Sequence, residues 1–224
     1  AKGRREANLF IAEGIRTILS LIEAGLTPQE IYATSEAAHR NNLPISYLGI
    51  SDDEMNRISP SSTPPGILGI FPLPENPNPA KLSPGLVLAN ISDPGNMGTL
   101  IRSCAAFGFT SVVVVEGCDP FSPKVIQATA GSLPHISLFR WSWADVVVRK
   151  KNLTLCALDA KEGKPADQLD LSNTLFVVGN EAHGIPEEWV AECNTHLMFP
   201  LAPGIDSLNA AVAGSLALFL ARKK

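Results

Sequence analysis

The chain has 224 residues, 45% of them hydrophobic and 18% charged, with a formal net charge of −4. A disordered chain would be poorer in apolar residues and richer in charge, and a collagen-like or coiled-coil chain would show a repeat in glycine or charge, so a globular protein with a buried core follows. Seven basic and nine acidic residues precede Gly85 and 11 and 13 follow it, which leaves each part at −2 and confines any nucleic-acid surface to a local patch.

The opening residues, AKGRREANLF, lack the apolar core and cleavage site of a signal peptide. The expectation is a cytoplasmic protein, or one in an organelle matrix after loss of a transit peptide. Residues 9–11 and 31–34 read as short strands. Between them Ile15, Ile18, Leu19 and Ile22 follow the helical i, i+3, i+4, i+7 pattern up to Gly25. Ser51 and Glu54 have the spacing of a capping box before a short helix, and residues 66–71 return to strand. Residues 1–71 therefore predict a small α/β domain. Residues 72–84, PLPENPNPAKLSP, hold five prolines in thirteen positions and predict a stiff linker. From residue 85 to 224 apolar runs at 86–89, 112–115, 136–139, 153–158, 175–178 and 197–199 alternate with helical patterns. Strands that read as unbroken Val/Leu/Ile runs are buried on both faces, which predicts a mostly parallel sheet with helices on either side. Ligands of such sheets lie beyond the strands' carboxyl ends.

The four cysteines, Cys104, Cys118, Cys156 and Cys193, stand singly, as in a reduced intracellular chain. The longest apolar stretch, residues 208–221, is interrupted by Asn209, Gly214 and Ser215 and is too short for a membrane span, so a buried helix and no membrane partner are expected. No two of the 17 glycines are separated by one residue, which removes the G-x-G-x-x-G dinucleotide fingerprint. Phosphate-loop, H-E-x-x-H and G-x-S-x-G motifs are absent as well. The histidines, His39, His135, His183 and His196, have no ligand spacing, and no metal site is expected.

Three segments remain that carry chemistry. In LVLANISDPGNMGTLIRSCAAFGF, residues 86–109, Asn90, Asp93, Asn96 and Arg102 fall at or just past a strand end. An ordinary Asp-Pro-Gly-Asn turn and a solvated arginine would explain this segment alone. In LFVVGNEAHGIPEE, residues 175–188, Gly179 and Glu181 follow a strand, and glycine there permits close backbone approach to a ligand. In MFPLAPGIDSLNAAVAGSLALFLARKK, residues 198–224, Asp206 or Ser207 could cap a final helix, or Ser207 and Asn209 could present polar groups to a substrate.

Together, in this order and spacing, the three segments resemble the motifs of the SpoU (TrmH-like) RNA ribose 2′-O-methyltransferases of the SPOUT superfamily, over nearly all of residues 85–224. GRREANLFIAEGIR resembles the opening of the small RNA-binding domain, similar to a ribosomal protein, that precedes many of these catalytic domains. The resemblance implies methyl transfer from S-adenosylmethionine to a ribose 2′-hydroxyl of RNA, a homodimer, no metal, and a deep trefoil knot. It places Gly179, Phe199 and Leu208, with Leu158 on a neighbouring strand, at the cofactor. It places Asn90, Arg102, Glu181, Ser207 and Asn209 at the reaction. Leu201 departs from a common Met and Phe199 from a common Ile, and both changes stay apolar. The guanidinium of Arg102 stays protonated in proteins, so its expected role is to hold a phosphate or the forming oxyanion, with Glu181 orienting Arg102 or a partner group. Arg4, Arg5, Arg16 and Arg40, beside Asn41 and Asn42, are candidate RNA phosphate contacts or plain surface. The two-domain form favours ribosomal RNA over transfer RNA as substrate, and a non-catalytic RNA-binding ribosome-assembly protein is the alternative from another class.

Overall fold

The computed structural model describes residues 6–158 and 163–222. Its first elements are β1 (Leu9–Glu13), α1 (Ile15–Glu23), β2 (Glu30–Thr34), α2 (Ser35–Arg40), β3 (Leu48–Ile50), α3 (Asp52–Ile58) and β4 (Ile67–Pro72). There follow β5 (Gly85–Ala89), α4 (Pro94–Ala106), β6 (Ser111–Val115), α5 (Pro123–Thr129), β7 (Ser137–Arg140), α6 (Trp143–Arg149) and β8 (Thr154–Leu158). The last are β9 (Thr174–Val178), α7 (Glu187–Val190), β10 (Thr195–Leu197) and α8 (Ala210–Ala221). The chain divides into two compact units, one running to Glu75 and including Asp119–Pro134, the other taking Asn76–Cys118 and the residues from His135 on.

In the first unit the sheet order is β1-β4-β2-β3, with β4 antiparallel to β1 and β2 and β3 parallel to β2. Helix α1 buries Thr17, Ile18 and Leu21; of the expected stripe only Ile18 is fully buried, while Ile15, Leu19 and Ile22 are half-buried, so the packed face is turned from the one the periodicity gives. The Ser51–Glu54 capping box forms at α3: Glu54 N donates to Ser51 Oγ at 3.3 Å, and Ser51 N donates to Glu54 Oε2 at 2.9 Å. It satisfies two helix-end donors and is worth about 1 kcal/mol. Phe10 stacks on Phe71 with centroids 5.5 Å apart, and Phe121 sits 5.6 Å from Phe10. This aromatic contact joins the 119–134 segment to β1, whereas the sequence assigns that segment to the 85–224 domain.

The second unit holds a six-stranded sheet, ordered β10-β8-β9-β5-β6-β7, in which every adjacent pair is parallel. Strands β5, β6 and β9 are buried at all five positions, as their unbroken apolar runs require. One face, with Val87, Val113, Leu155 and Val177, packs on Trp143 and Val146 of α6, while Ile185 and Trp189 close over it. The other face meets α4 and α8. There Gly214 lets α8 close in: a Cβ on it would lie 2.3 Å from Leu100 Cδ2 and 3.2 Å from Val178 Cγ2. Helices thus cover both faces.

Two boundaries differ from expectation. The last strand is Thr195–Leu197, so Phe199 follows it in a loop; Pro200 next to it has no N–H to continue a ladder. Helix α8 starts at Ala210 with Asn209 as its N-cap, in place of Asp206 or Ser207. The proline-rich 72–84 stretch is tied at both ends: Leu73 N donates to Asn8 O at 2.9 Å in the first unit, and Ser83 N donates to Ser111 Oγ at 2.9 Å in the second.

Candidate functional site

The site is built where β5 and β9 end. Asn90, directly after β5, adopts a left-handed conformation with φ 57°. Asparagine tolerates that region. Its N–H donates to Val115 O at 2.8 Å, and its carbonyl accepts from Asn180 Nδ2 at 2.8 Å, so Asn90 holds the loop through its backbone. Asp93 then caps α4 by accepting from Asn96 N at 2.7 Å, with Pro94 in the first turn. The Asp-Pro-Gly-Asn sequence is therefore a helix start in place of a free turn.

After β9 the chain turns back at once. Asn180 and Gly184 exchange backbone hydrogen bonds of 2.9 Å in both directions, and Asn180 Oδ1 accepts from Ala182 N at 2.9 Å and His183 N at 3.1 Å. Gly179 is demanded by this return: a Cβ there would lie 2.4 Å from Gly184 C and 2.5 Å from Ile185 N. The close approach expected at this glycine is made by the protein's own backbone.

Glu181 ties the loops together. Its Oε2 accepts from Ser92 N at 3.2 Å and Ser92 Oγ at 2.8 Å, and its Oε1 accepts from Asp93 N at 3.2 Å and Asn96 Nδ2 at 2.9 Å. Partial burial works to raise its pKa, but the hydrogen bonds from Asn96, its own backbone N–H and Ser92 outweigh it and hold the carboxyl down to about 2. Asn96 passes the connection on: its Oδ1 accepts from Asn209 Nδ2 at 3.0 Å, while Asn209 Oδ1 accepts from Ala211 N at 2.9 Å and Val212 N at 3.2 Å. One chain of side-chain bonds thus links all three sequence segments.

Beside this network lies a cleft of about 540 Å³. Leu158, Gly179, Glu181, Phe199, Ser207 and Leu208 all line it, bringing the four candidate cofactor residues to one place. Its size is that of a small-molecule site. Leu158, Val178, Phe199, Leu201 and Leu208 give it apolar walls for a flat ring. Glu181, Glu187 and Asp206 supply carboxylates, and among the described residues no Lys or Arg lines it. That lining suits a ligand carrying a flat aromatic ring and positive charge, as S-adenosylmethionine does.

Asn90, Arg102 and Asn209 do not line this cleft. Arg102 lies on the exposed face of α4 with Gly95, Thr99 and Ala106, and makes no hydrogen bond or ion pair among the described residues. Thr99, Asn96 and Asn209 border a second groove of about 420 Å³ with Val212, Leu216 and Phe219. In the first unit Arg16 is exposed on α1, and Arg40 pairs with Glu36 at 3.6 Å. Asn41 Nδ2 donates to Ala37 O at 2.7 Å, finishing α2. Arg4 and Arg5 lie outside the described residues. Asn96, Asn180 and His183 gain positions at the site that the sequence did not assign. The one signal was that each lies in a polar strand-end loop already singled out. Among the described residues no group of three His, Cys, Asp or Glu side chains could hold a metal, and no helix is long and apolar enough to cross a membrane.

Residues 84–219 match the SpoU rRNA Methylase family, and residues 1–69 match the MRM3-like substrate binding domain. The chain is 26% identical to the Bacillus subtilis 23S rRNA (guanosine(2553)-2′-O)-methyltransferase RlmP, over 97% of this chain and 90% of that one. It is 27% identical to mouse mitochondrial rRNA methyltransferase 3, over 99% of this chain and 69% of that one. The crystal structure of an AdoMet-bound rRNA methyltransferase from Sinorhizobium meliloti superposes with a TM-score of 0.86 at 26% identity, covering 99% of this chain and 89% of that chain. With residues 84–219 matched, the chain belongs to the SpoU rRNA methylase family.

Proposed function

We propose that the protein transfers the methyl group of S-adenosylmethionine to the 2′-hydroxyl of a ribosomal RNA nucleotide. The observation that carries this is the Glu181 network, which joins residues from all three segments at the mouth of a cleft fit for that cofactor. When bound, S-adenosylmethionine supplies an electrophilic methyl on a sulfonium. Leu158, Phe199 and Leu208 hold its apolar parts, and Glu181, Glu187 and Asp206 offset its positive charge. A ribose hydroxyl is a weak nucleophile, so the residues around it must position it, take up its proton and stabilise the alkoxide charge that develops. Arg102, fixed in charge and unpaired, binds a target phosphate or the forming oxyanion. Ser207 and Asn209 face the ribose side. Asn90 and Glu181 keep the intervening loops in place, with Asn96 as the relay.

Ribosomal RNA is favoured because the relatives acting on it match across both units, the first included. The first unit is read as the recognition domain, with Arg16 and Arg40 as phosphate contacts. A homodimer is supported by the exposed Val212, Leu216, Phe219 and Leu220 on α8, an apolar surface that a second copy would cover. A trefoil knot in the second unit, and action in the cytoplasm or an organelle matrix, belong to the same reading. The test is incubation with labelled S-adenosylmethionine and unmodified rRNA or tRNA, followed by mapping of alkali-resistant linkages. Ribose label in rRNA is expected. Label in bases would overturn the reaction, and label in tRNA alone would overturn the substrate.

A further inference from the structure

We propose that the imidazole of His183 is the acceptor of the ribose 2′-hydroxyl proton. This rests on the methyl-transfer reading, which leaves open where that proton goes. Arg102 cannot accept it, because a guanidinium is never unprotonated under working conditions. Nor is Glu181 suited. Both of its oxygens are filled by two donors each, from Ser92, Asp93 and Asn96, and taking a proton would break the bonds that hold three loops together. Asn90, Ser207 and Asn209 carry no basic group at neutral pH.

His183 differs from all of these. It lines the cleft beside Gly179, Ser207 and Leu208, and its ring makes no hydrogen bond or ion pair among the described residues, so both nitrogens are open to a ligand. Its backbone is held firmly: His183 N donates to Asn180 Oδ1, inside the turn closed by the reciprocal Asn180–Gly184 bonds, and Asn180 is itself bonded to Asn90 O. A ring on so short and braced a turn has little backbone freedom to lose when substrate arrives. The charged groups that share the cleft with it are Glu181, Glu187 and Asp206, all acidic. Histidine is also the side chain whose two charge states are both accessible near neutral pH.

The step balances as follows. A lone pair on O2′ forms the new O–CH3 bond while the S–CH3 bond breaks, and its electron pair stays on sulfur, converting sulfonium to neutral thioether. The O2′–H electron pair stays on oxygen, and the proton passes to the unprotonated ring nitrogen of His183, which later returns it to solvent.

The test uses His183→Ala and His183→Gln in the full chain, with labelled S-adenosylmethionine and large- and small-subunit rRNA transcripts. Both variants should lose about 10²- to 10⁴-fold in kcat, the range of general acid–base catalysis. The melting temperature should stay unchanged, and affinity for S-adenosylhomocysteine, read by calorimetry, should fall far less than kcat. The acid limb of the kcat–pH profile should vanish, and added imidazole should restore part of the rate to His183→Ala and none to His183→Gln. Apart from turnover, carbon-13 NMR of the S-adenosylhomocysteine complex should show the His183 ring titration move when rRNA transcript is added. Retention of turnover and of the acid limb by both variants, or a ring titration unmoved by RNA, would overturn the proposal. Failure of the wild-type chain to label ribose would instead overturn the methyl-transfer reading beneath it.

Discussion

The loops that end β5 and β9 and the outer face of α4 lie within one short stretch of fold, yet they are built on opposite terms. In the loops, Glu181, Asn96, Asn180 and Asn209 are bonded to one another or to backbone at 2.8–3.2 Å. On the helix, Arg102 is exposed and bonded to nothing among the described residues. Bonded groups have already given up their rotamer freedom to the fold, so they can organise a site at little further cost. An unbonded cation keeps its hydrogen-bonding capacity for a ligand. The contrast separates groups that shape the pocket from a group whose donors are unused, as the phosphate or oxyanion contact proposed for Arg102 requires.

Arg102→Lys is the sharpest test of that division. It keeps the charge and loses the fork, and a drop in kcat of about 10²- to 10³-fold is expected, as for removal of one oxyanion-binding donor. The melting temperature should not change, since no described contact is lost. A variant with normal turnover would remove Arg102 from the reaction. Gly179→Ala attacks the other region, by forcing a Cβ to 2.4 Å from the Gly184 carbonyl carbon. A loss of about 1–3 kcal/mol is expected from such overpacking, with weaker S-adenosylhomocysteine binding by calorimetry. Gly214→Ala should cost less, because its nearest obstacle is the end of the Leu100 side chain, which can turn away. Asn209→Ala removes a helix cap worth about 1 kcal/mol and frees Asn96. Chemical denaturation measures the first effect and kcat the second. The smallest effect is the pH response of Glu181. Its folded-state pKa is depressed, from 4.5 to about 2, so its contribution to stability is full above 4.5 and fades as pH falls toward 2. Glu181→Gln should flatten acid unfolding in that window, and an unaltered acid limb would show that the network does not depend on charge.

The parallel sheet was legible because its signal is local: five-residue Val/Leu/Ile runs such as Ser111–Val115 have few other uses. Strand β3 was not, since Leu48–Ile50 is three residues long and carries no buried position. The capping box at Ser51 can be read from spacing, whereas the second one, Ser142 with Asp145 on α6, has Asp where the pattern calls for Glu or Gln. Residue 121 illustrates a different limit. An apolar side chain says that it will be buried, but nothing in its neighbours says that Phe10 will cover it. The candidate site divides in the same way. Glu181 was legible through its motif, while Arg102, named by the same resemblance, lies off the cleft on the exposed face of α4. The bonds among Asn96, Asn180 and Asn209 were not, because amides have no periodicity and choose partners only after distant loops meet.

The network also has a bearing on how the protein matures. Asn96 reaches Glu181 across 85 positions of sequence and Asn209 across 113. Contacts of that span form only after large loops have closed, at a cost in entropy that slows folding. Pairing β5 with β9 closes a loop of similar span, since Gly85 faces Leu175, so the Asn96–Glu181 bond can form with the sheet, whereas the Asn209 bond needs α8 as well. The pocket is therefore complete only once α8 has docked on the sheet.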